Sequence, residues 1–287
     1  MAISTTVASE LTQEQVSTIL TQPLEQRSVF LEAGPTIFDT NGSPVRIPAA
    51  PASAADELEW VGENELIPEV DPEFGETELL PSTMKSVKTI TRYSNELARQ
   101  SIVSLDKVLQ DRLVADVAAK LDGQFLSATG DGVTTPRGLF AYQGTEDVDA
   151  TGGFTIDTLL EAQGVALAAN VDPARLALFI RPGDLMTLRG LKDGDGHYLL
   201  NMDAREGGGY TILGMNAAVS SRIPAGRAAV ADMSQVAVAR DLAPSVKILT
   251  ERYADYDQQA IRVVARYDAA PLNPAGIVTI SGISTGV

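Results

Sequence analysis

The chain has 287 residues, 44% hydrophobic and 21% charged, with a mean hydropathy near zero, a composition that builds a globular core and excludes a disordered chain. Cysteine is absent and His197 is the single histidine, which removes disulfides, thiolate nucleophiles and Cys-ligated metals and forces any imidazole cage or Ser-His-Asp triad onto one residue. The 22 basic and 38 acidic residues leave a net charge of −16, the reverse of a phosphate-neutralising footprint, so direct binding to nucleic acid or an anionic membrane is disfavoured.

The first ten residues lack a basic region and an apolar core, and no uncharged apolar run approaches ~18 residues, so neither a signal peptide nor a membrane span is expected. Thr12-Gln-Glu-Gln15 has the pattern of a capping box, and Val16, Ile19 and Leu20 follow at helical spacing before Pro23 stops the helix. From Pro35 to Ser82 the chain carries seven of its fifteen prolines, eleven acids and one base, Arg46, which forbids a long helix or a central strand. Asn41-Gly42 between Thr36–Thr40 and Ser43–Ile47 predicts a hairpin, with Leu58-Glu-Trp60-Val61 as a return run. Asp56 to Glu78 then holds ten acids and no base. One reading is a solvated, self-repelling loop. The other is a projecting arm whose Trp60, Leu66, Ile67 and Phe74 dock on another subunit, because an isolated two-stranded hairpin is marginal in water.

Thr83 to Ser94 predicts a long strand, with Val87, Thr89, Thr91 and Tyr93 alternating against Lys88, Ile90 and Arg92, and Ser94-Asn95 caps a helical turn. From Ser104, Leu105, Leu109, Leu113, Val117, Leu121 and Phe125 recur every four residues, with Arg112/Asp116 and Asp116/Lys120 at i,i+4. This is a spine of ~24 residues and ~36 Å, ended by Thr129-Gly-Asp-Gly132. Beyond Gly152-Gly153 the pattern predicts a helix over 157–169, a buried strand over 176–180 and a helix from Pro182 to Leu191. Strands follow at 210–213, 217–220, 228–240, 246–252, 259–266 and 277–280. The class is mixed α+β without internal repeats.

The search for chemistry comes back empty. Gly207-Gly-Gly209 and Gly130-Asp-Gly132 match neither dinucleotide nor P-loop spacing. Asp193-Gly-Asp195-Gly begins like a calcium loop, but Ala204 stands where the bidentate Glu belongs. His197 reads as part of an exposed turn. No catalytic residue, cofactor-binding residue or metal ligand is assigned, and the chain is expected not to be an enzyme.

The order of the pieces does carry information. An N-terminal arm and an acidic arm precede the strand Lys85–Ser94, the long helix ending in Phe125-Leu-Ser-Ala-Thr-Gly-Asp-Gly132, and Pro136-Arg-Gly-Leu139. Leu178-Phe-Ile-Arg-Pro-Gly183, Leu188–Gly194, Leu213-Gly-Met-Asn216, Ser221-Arg-Ile-Pro224, Glu251-Arg-Tyr253, Ile261–Asp268 and Asn273-Pro-Ala275 follow in order. In this sequence of fragments, over nearly its whole length, the chain resembles the major capsid proteins of tailed bacteriophages with the Hong Kong 97-type fold.

The resemblance implies an N-terminal arm (1–34) and an extended β-hairpin loop (35–82). It further implies a peripheral domain with the spine helix (83–151 and 245–270) and an axial domain (152–244 and 271–287). It implies self-association into the hexamers and pentamers of an icosahedral shell around double-stranded DNA, which is enclosed without sequence-specific binding. Portal and decoration proteins are further partners, and no membrane is involved. With ~34 residues ahead of the extended loop, a separate scaffolding protein is expected. The expected location is the virion, with assembly in the bacterial host cytoplasm. An encapsulin-type nanocompartment holding cargo enzymes is the alternative on the same fold. Some relatives join a loop lysine to a neighbour's asparagine. None of the six lysines here lies between Pro35 and Ser82, and Arg46 cannot deprotonate to act as a nucleophile, so no such crosslink is expected.

Overall fold

The computed structural model describes residues 28–49, 60–61, 75–80, 85–96, 105–199, 210–249 and 251–284. The Thr12–Leu20 helix therefore lies outside the described residues. The first described element is a single turn, α1 (Val29–Glu32), whose N-cap Ser28 accepts a hydrogen bond from the Leu31 amide, the role for which a short hydroxyl side chain is favoured there.

Three sheets follow. Strand β1 (Thr36–Thr40) does not pair with β2 (Val45–Ala49) across Asn41-Gly42, as the turn residues had suggested; it runs parallel to β10 (Val236–Leu249), while β2 pairs antiparallel with β3 (Gly75–Leu79). The return strand is thus Gly75–Leu79, and Trp60 and Val61 lie in no strand. The reason is burial: pairing at 75–79 delivers Leu79 and the following Leu80 into an apolar cluster with Ala237 and Ala239, which the exposed Trp60 and Val61 do not enter.

The second sheet has the order β1-β10-β11-β4, where β11 is Gln258–Pro271 and β4 is Ser86–Ser94. Its spine is the antiparallel pairing of the two 14-residue strands β10 and β11, interrupted by a register shift between Asp241 and Ser245. One face carries Val87, Tyr93, Ile261, Val263, Ala265 and Tyr267 into a core shared with helix α2 (Leu105–Phe125). The helix contributes Leu113, Val114, Val117, Ala118, Leu121 and Phe125 to it. Arg112 and Asp116 meet at 3.1 Å; Asp116 is taken by Arg112 rather than by Lys120. Past the helix, Gly138 is required by close approach, since a Cβ there would sit 2.1 Å from the Ser127 carbonyl oxygen.

The third sheet, β5-β12-β9-β6-β8-β7, is built from Glu146–Asp149 (β5), Leu176–Ile180 (β6), Tyr210–Ile212 (β7), Met215–Val219 (β8), Ala228–Asp232 (β9) and Ile277–Ser281 (β12). Its central strands β6 and β9 are buried throughout, and the alternation serves two cores. Leu176, Leu178, Ile180 and Val230 face α3 (Ile156–Ala168) and α4 (Pro182–Arg189), whereas Ala177, Phe179, Ala229 and Ala231 face the spine-helix core. Buried on both faces, β6 therefore reads as a continuous apolar run. The expected single strand 228–240 is broken at Asp232, whose carboxylate accepts from the Ser234 amide and hydroxyl and turns the chain from one sheet into the other. The sheet partition also departs from the expected boundaries. Glu146–Asp149 pairs in the six-stranded sheet rather than with the residues before it, and β10 enters the four-stranded sheet at Val236, not 245.

Candidate inter-subunit surfaces

Two segments that the sequence reads as arms are tied down at their roots. At the first, the Asp122 carboxylate on α2 accepts from the Ser28 hydroxyl at 2.6 Å, the Val29 amide at 3.0 Å and the Phe30 amide at 3.3 Å. A carboxylate at the start of a turn satisfies orphan donors and complements their partial positive charge. The ring of Phe30 then sits 4.9 Å from that of Phe125 and 6.3 Å from that of Phe179, centroid to centroid. The arm exit, the spine helix and the six-stranded sheet meet at these three rings. Beside them opens a cleft of about 540 Å³ lined by Val29, Glu32, Arg175, Tyr210, Asn216 and Met233.

At the second root, Lys85 and Asp268 form a buried ion pair at 2.6 Å. The same carboxylate accepts from the amides of Leu80 and Ala269 at 3.0 Å. The charge is therefore compensated and its lone pairs are used, the condition under which a buried pair is tolerated. Burial, reinforced by this carboxylate, pushes the phenol of Tyr142 far above its ordinary value. On the other side of the root, Arg240 bonds both oxygens of Asp39, at 2.5 and 2.8 Å, and those bonds hold the exposed Asp39 carboxyl below its usual range. The stabilisation is present above the ordinary carboxylate pKa near 3.8 and fades as pH falls below it. Arg46 reaches Glu76 at 3.3 Å on the hairpin surface, a solvated contact of small worth.

Trp60 is fully exposed in the single chain. Leu66, Ile67 and Phe74, and Val16, Ile19 and Leu20, lie outside the described residues. The anchors Ser28, Asp122, Lys85 and Asp268 carried no signal in the sequence, because each pair is separated by more than 90 residues. His197 lies exposed in its turn, 3.6 Å from Asp193. The Asp131 carboxyl is lowered by bonds from Thr134, Thr135 and Val133 in a surface loop, a turn-stabilising arrangement. Among the described residues no cluster of three or more His, Asp or Glu is placed to hold a metal.

Comparison with known proteins gives a consistent picture. The model of the family described as "Phage capsid family" matches residues 9–282. The major capsid protein of Halomonas phage phiHAP-1 is 26% identical over 151 residues, 53% of this chain, and the aligned part is 24% of that protein's length. Among solved structures, one from Microbacterium phage Oxtober96 superposes with a TM-score of 0.72 at 16% identity, covering 88% of this chain and 90% of the other. The capsid of the native GTA particle gives 0.70 at 15%, covering 89% and 90%. A virus-like particle from Pyrococcus furiosus is less similar, at 0.56 and 12%, covering 93% and 98%.

Proposed function

The chain belongs to the phage capsid family and has the Hong Kong 97-type fold of its structural relatives, and from that premise we propose that it is the structural subunit of an icosahedral shell enclosing double-stranded DNA. The observation that carries the reading is the family match over residues 9–282. Many copies close into hexamers and pentamers inside the bacterial host, with scaffolding, portal and decoration proteins as partners, and the product is the virion. The four-stranded sheet with α2 serves as the peripheral domain and the six-stranded sheet with α3 and α4 as the axial domain, and residues 1–34 and the β2–β3 hairpin are the appendages. No chemistry is asked of the protein. Electron microscopy of the purified chain should show closed icosahedral particles, and a monodisperse monomer would overturn the proposal. Packaged nucleic acid favours the phage shell; co-purifying enzymes inside the particle would favour an encapsulin, whose fold-level support is the weaker match to the virus-like particle.

The shell is held without loop crosslinks. The nearest lysine after the loop, Lys85, is buried against Asp268, and no lysine lies between Pro35 and Ser82. Boiled in detergent, mature particles should run as a single band near 30.3 kDa, and a ladder of covalent oligomers would contradict this. Contacts made by Trp60, Leu66, Ile67 and Phe74 of the loop, and by Val16, Ile19 and Leu20 of the arm, then sum non-covalently. The fully exposed Trp60 is the largest of these. Trp60→Ala should weaken each inter-subunit contact by ~2–4 kcal/mol, read as a raised critical concentration for assembly; particles of unchanged stability would remove Trp60 from the interface.

A further inference from the structure

A short elbow joins the four-stranded sheet to the hairpin. Strand β1 leaves its pairing with β10 at Thr40, and β2 begins at Val45, so residues 41–44 carry the chain from one sheet to the other. The Thr40 hydroxyl spans the elbow and donates to the Ser43 carbonyl at 2.5 Å. Inside that bridge lies Asn41-Gly42, the one place among the chain's seven asparagines where a glycine follows. Gly42 has a φ of +83°, and nothing stands within 4 Å of the point its Cβ would occupy. Both residues are exposed. Among the described residues neither the Asn41 carboxamide nor the Gly42 amide has a hydrogen-bond partner.

We propose that Asn41 is a self-modifying site, at which the folded chain deamidates without an enzyme and remodels its own elbow. The Gly42 nitrogen gives its proton to a solvent base and attacks the Asn41 side-chain carbonyl carbon. A five-membered succinimide closes as the bond to the side-chain nitrogen breaks and ammonia leaves. Water then opens the ring. Cleavage beside the main-chain carbonyl gives isoaspartate, and cleavage beside the side-chain carbonyl gives aspartate; in either case one water enters, one ammonia departs and no electrons are exchanged. Glycine at 42 leaves its nitrogen unshielded by a Cβ, and an amide outside any ladder has no acceptor to give up before it reacts. The Asp-Gly turns elsewhere are held differently. Asp131 accepts from the amides of Val133, Thr134 and Thr135, and Asp193 from those of Asp195 and His197, which keeps both carboxylates from turning onto the following nitrogen. At Asn41 the isoaspartate product inserts a methylene into the main chain within the Thr40–Ser43 bridge and adds a carboxylate two residues from Asp39. The link between sheet and hairpin therefore loosens as the protein ages.

The modification is independent of the shell reading, and its test needs only the purified full-length chain. Samples incubated at 37 °C are digested with trypsin and followed by mass spectrometry through the peptide Ser28–Arg46, in which Asn41 is the single amide side chain. Conversion at Asn41 should run at least tenfold faster than at the exposed Asn170 and Asn216, with isoaspartate as the larger product. Its rate should rise about tenfold from pH 7.4 to pH 8.4, since the attacking nitrogen is a weak acid far below its pKa. Folded chain should convert within about threefold of chain unfolded in urea, because the exposed elbow offers no protection, and Asn41→Gln should leave the peptide unmodified. Aged protein should exchange the amide hydrogens of β2 and β3 at least threefold faster than Asn41→Asp, which has the added charge but not the added methylene. A folded chain that converts at least tenfold more slowly than the unfolded one, or conversion no faster than at Asn170 and Asn216, overturns the proposal. Equal exchange in aged protein and Asn41→Asp overturns the remodelling of the elbow.

Discussion

Asp268→Ala should cost ~3–5 kcal/mol of stability, because it strands the buried Lys85 ammonium without its counter-charge. It also removes the acceptor of the Leu80 amide, at the end of the hairpin and in a left-handed backbone conformation with φ of +51°. In a chain of this size such a loss lowers the melting temperature by about 6–15 °C. Pairing Lys85→Met with Asp268→Asn removes both charges and retains a carbonyl oxygen to accept from Leu80, so the double variant should recover more than half of the loss. Urea unfolding of dissociated subunits decides the matter: a loss below ~1 kcal/mol for Asp268→Ala, or strict additivity of the two sites, would show that the pair does not hold the loop root.

Phe125→Ala should be as severe, ~3–5 kcal/mol, since a fully buried ring is exchanged for a cavity and its tilted ring contact with Phe30 disappears. The damage is not confined to the helix. Phe30 would lose its partner on α2 and keep only the more distant Phe179, so the turn that launches the N-terminal segment loosens, and limited proteolysis near Ser28 should accelerate. Phe125→Leu keeps most of the volume and should cost ~1 kcal/mol. Equal losses in the two variants would mean that ring packing, as opposed to apolar volume, carries the junction; no loss in either would contradict the packing described above.

Elements defined by local periodicity were legible in the residues. The four-residue recurrence from Leu105 to Phe125 became α2, Leu176–Ile180 became a buried strand, and Pro182 opened α4. Each of these depends on neighbours within one or two turns, where spacing and capping act directly. The partners were not legible. Thr36–Thr40 looked like half of a local hairpin, yet it pairs with residues some 200 positions away, since the burial available against β10 outweighs what the Asn-Gly turn offers. Residues 228–240 looked like one strand but divide at Asp232 between two sheets.

The sequence by itself pointed to the class of protein: an acidic chain without cysteine, with one histidine, a proline-rich acidic segment, a long helix with an apolar residue at every fourth position and alternating strands, in an order that resembles a capsid subunit. Composition and order survive any rearrangement in space, and the resemblance of that order to a known family is what pointed to the function. Only the tertiary structure decided where its anchors and surfaces lie. Asp122 and Asp268 are unremarkable acids among 38 acidic residues until folding sets them against Ser28 and Lys85. Lys88, Arg262 and Lys247 are scattered bases until the register of β4, β11 and β10 brings them to one face. Such sites depend on long-range pairing, whose energy comes from buried area and charge compensation between distant segments, and no local pattern encodes that pairing.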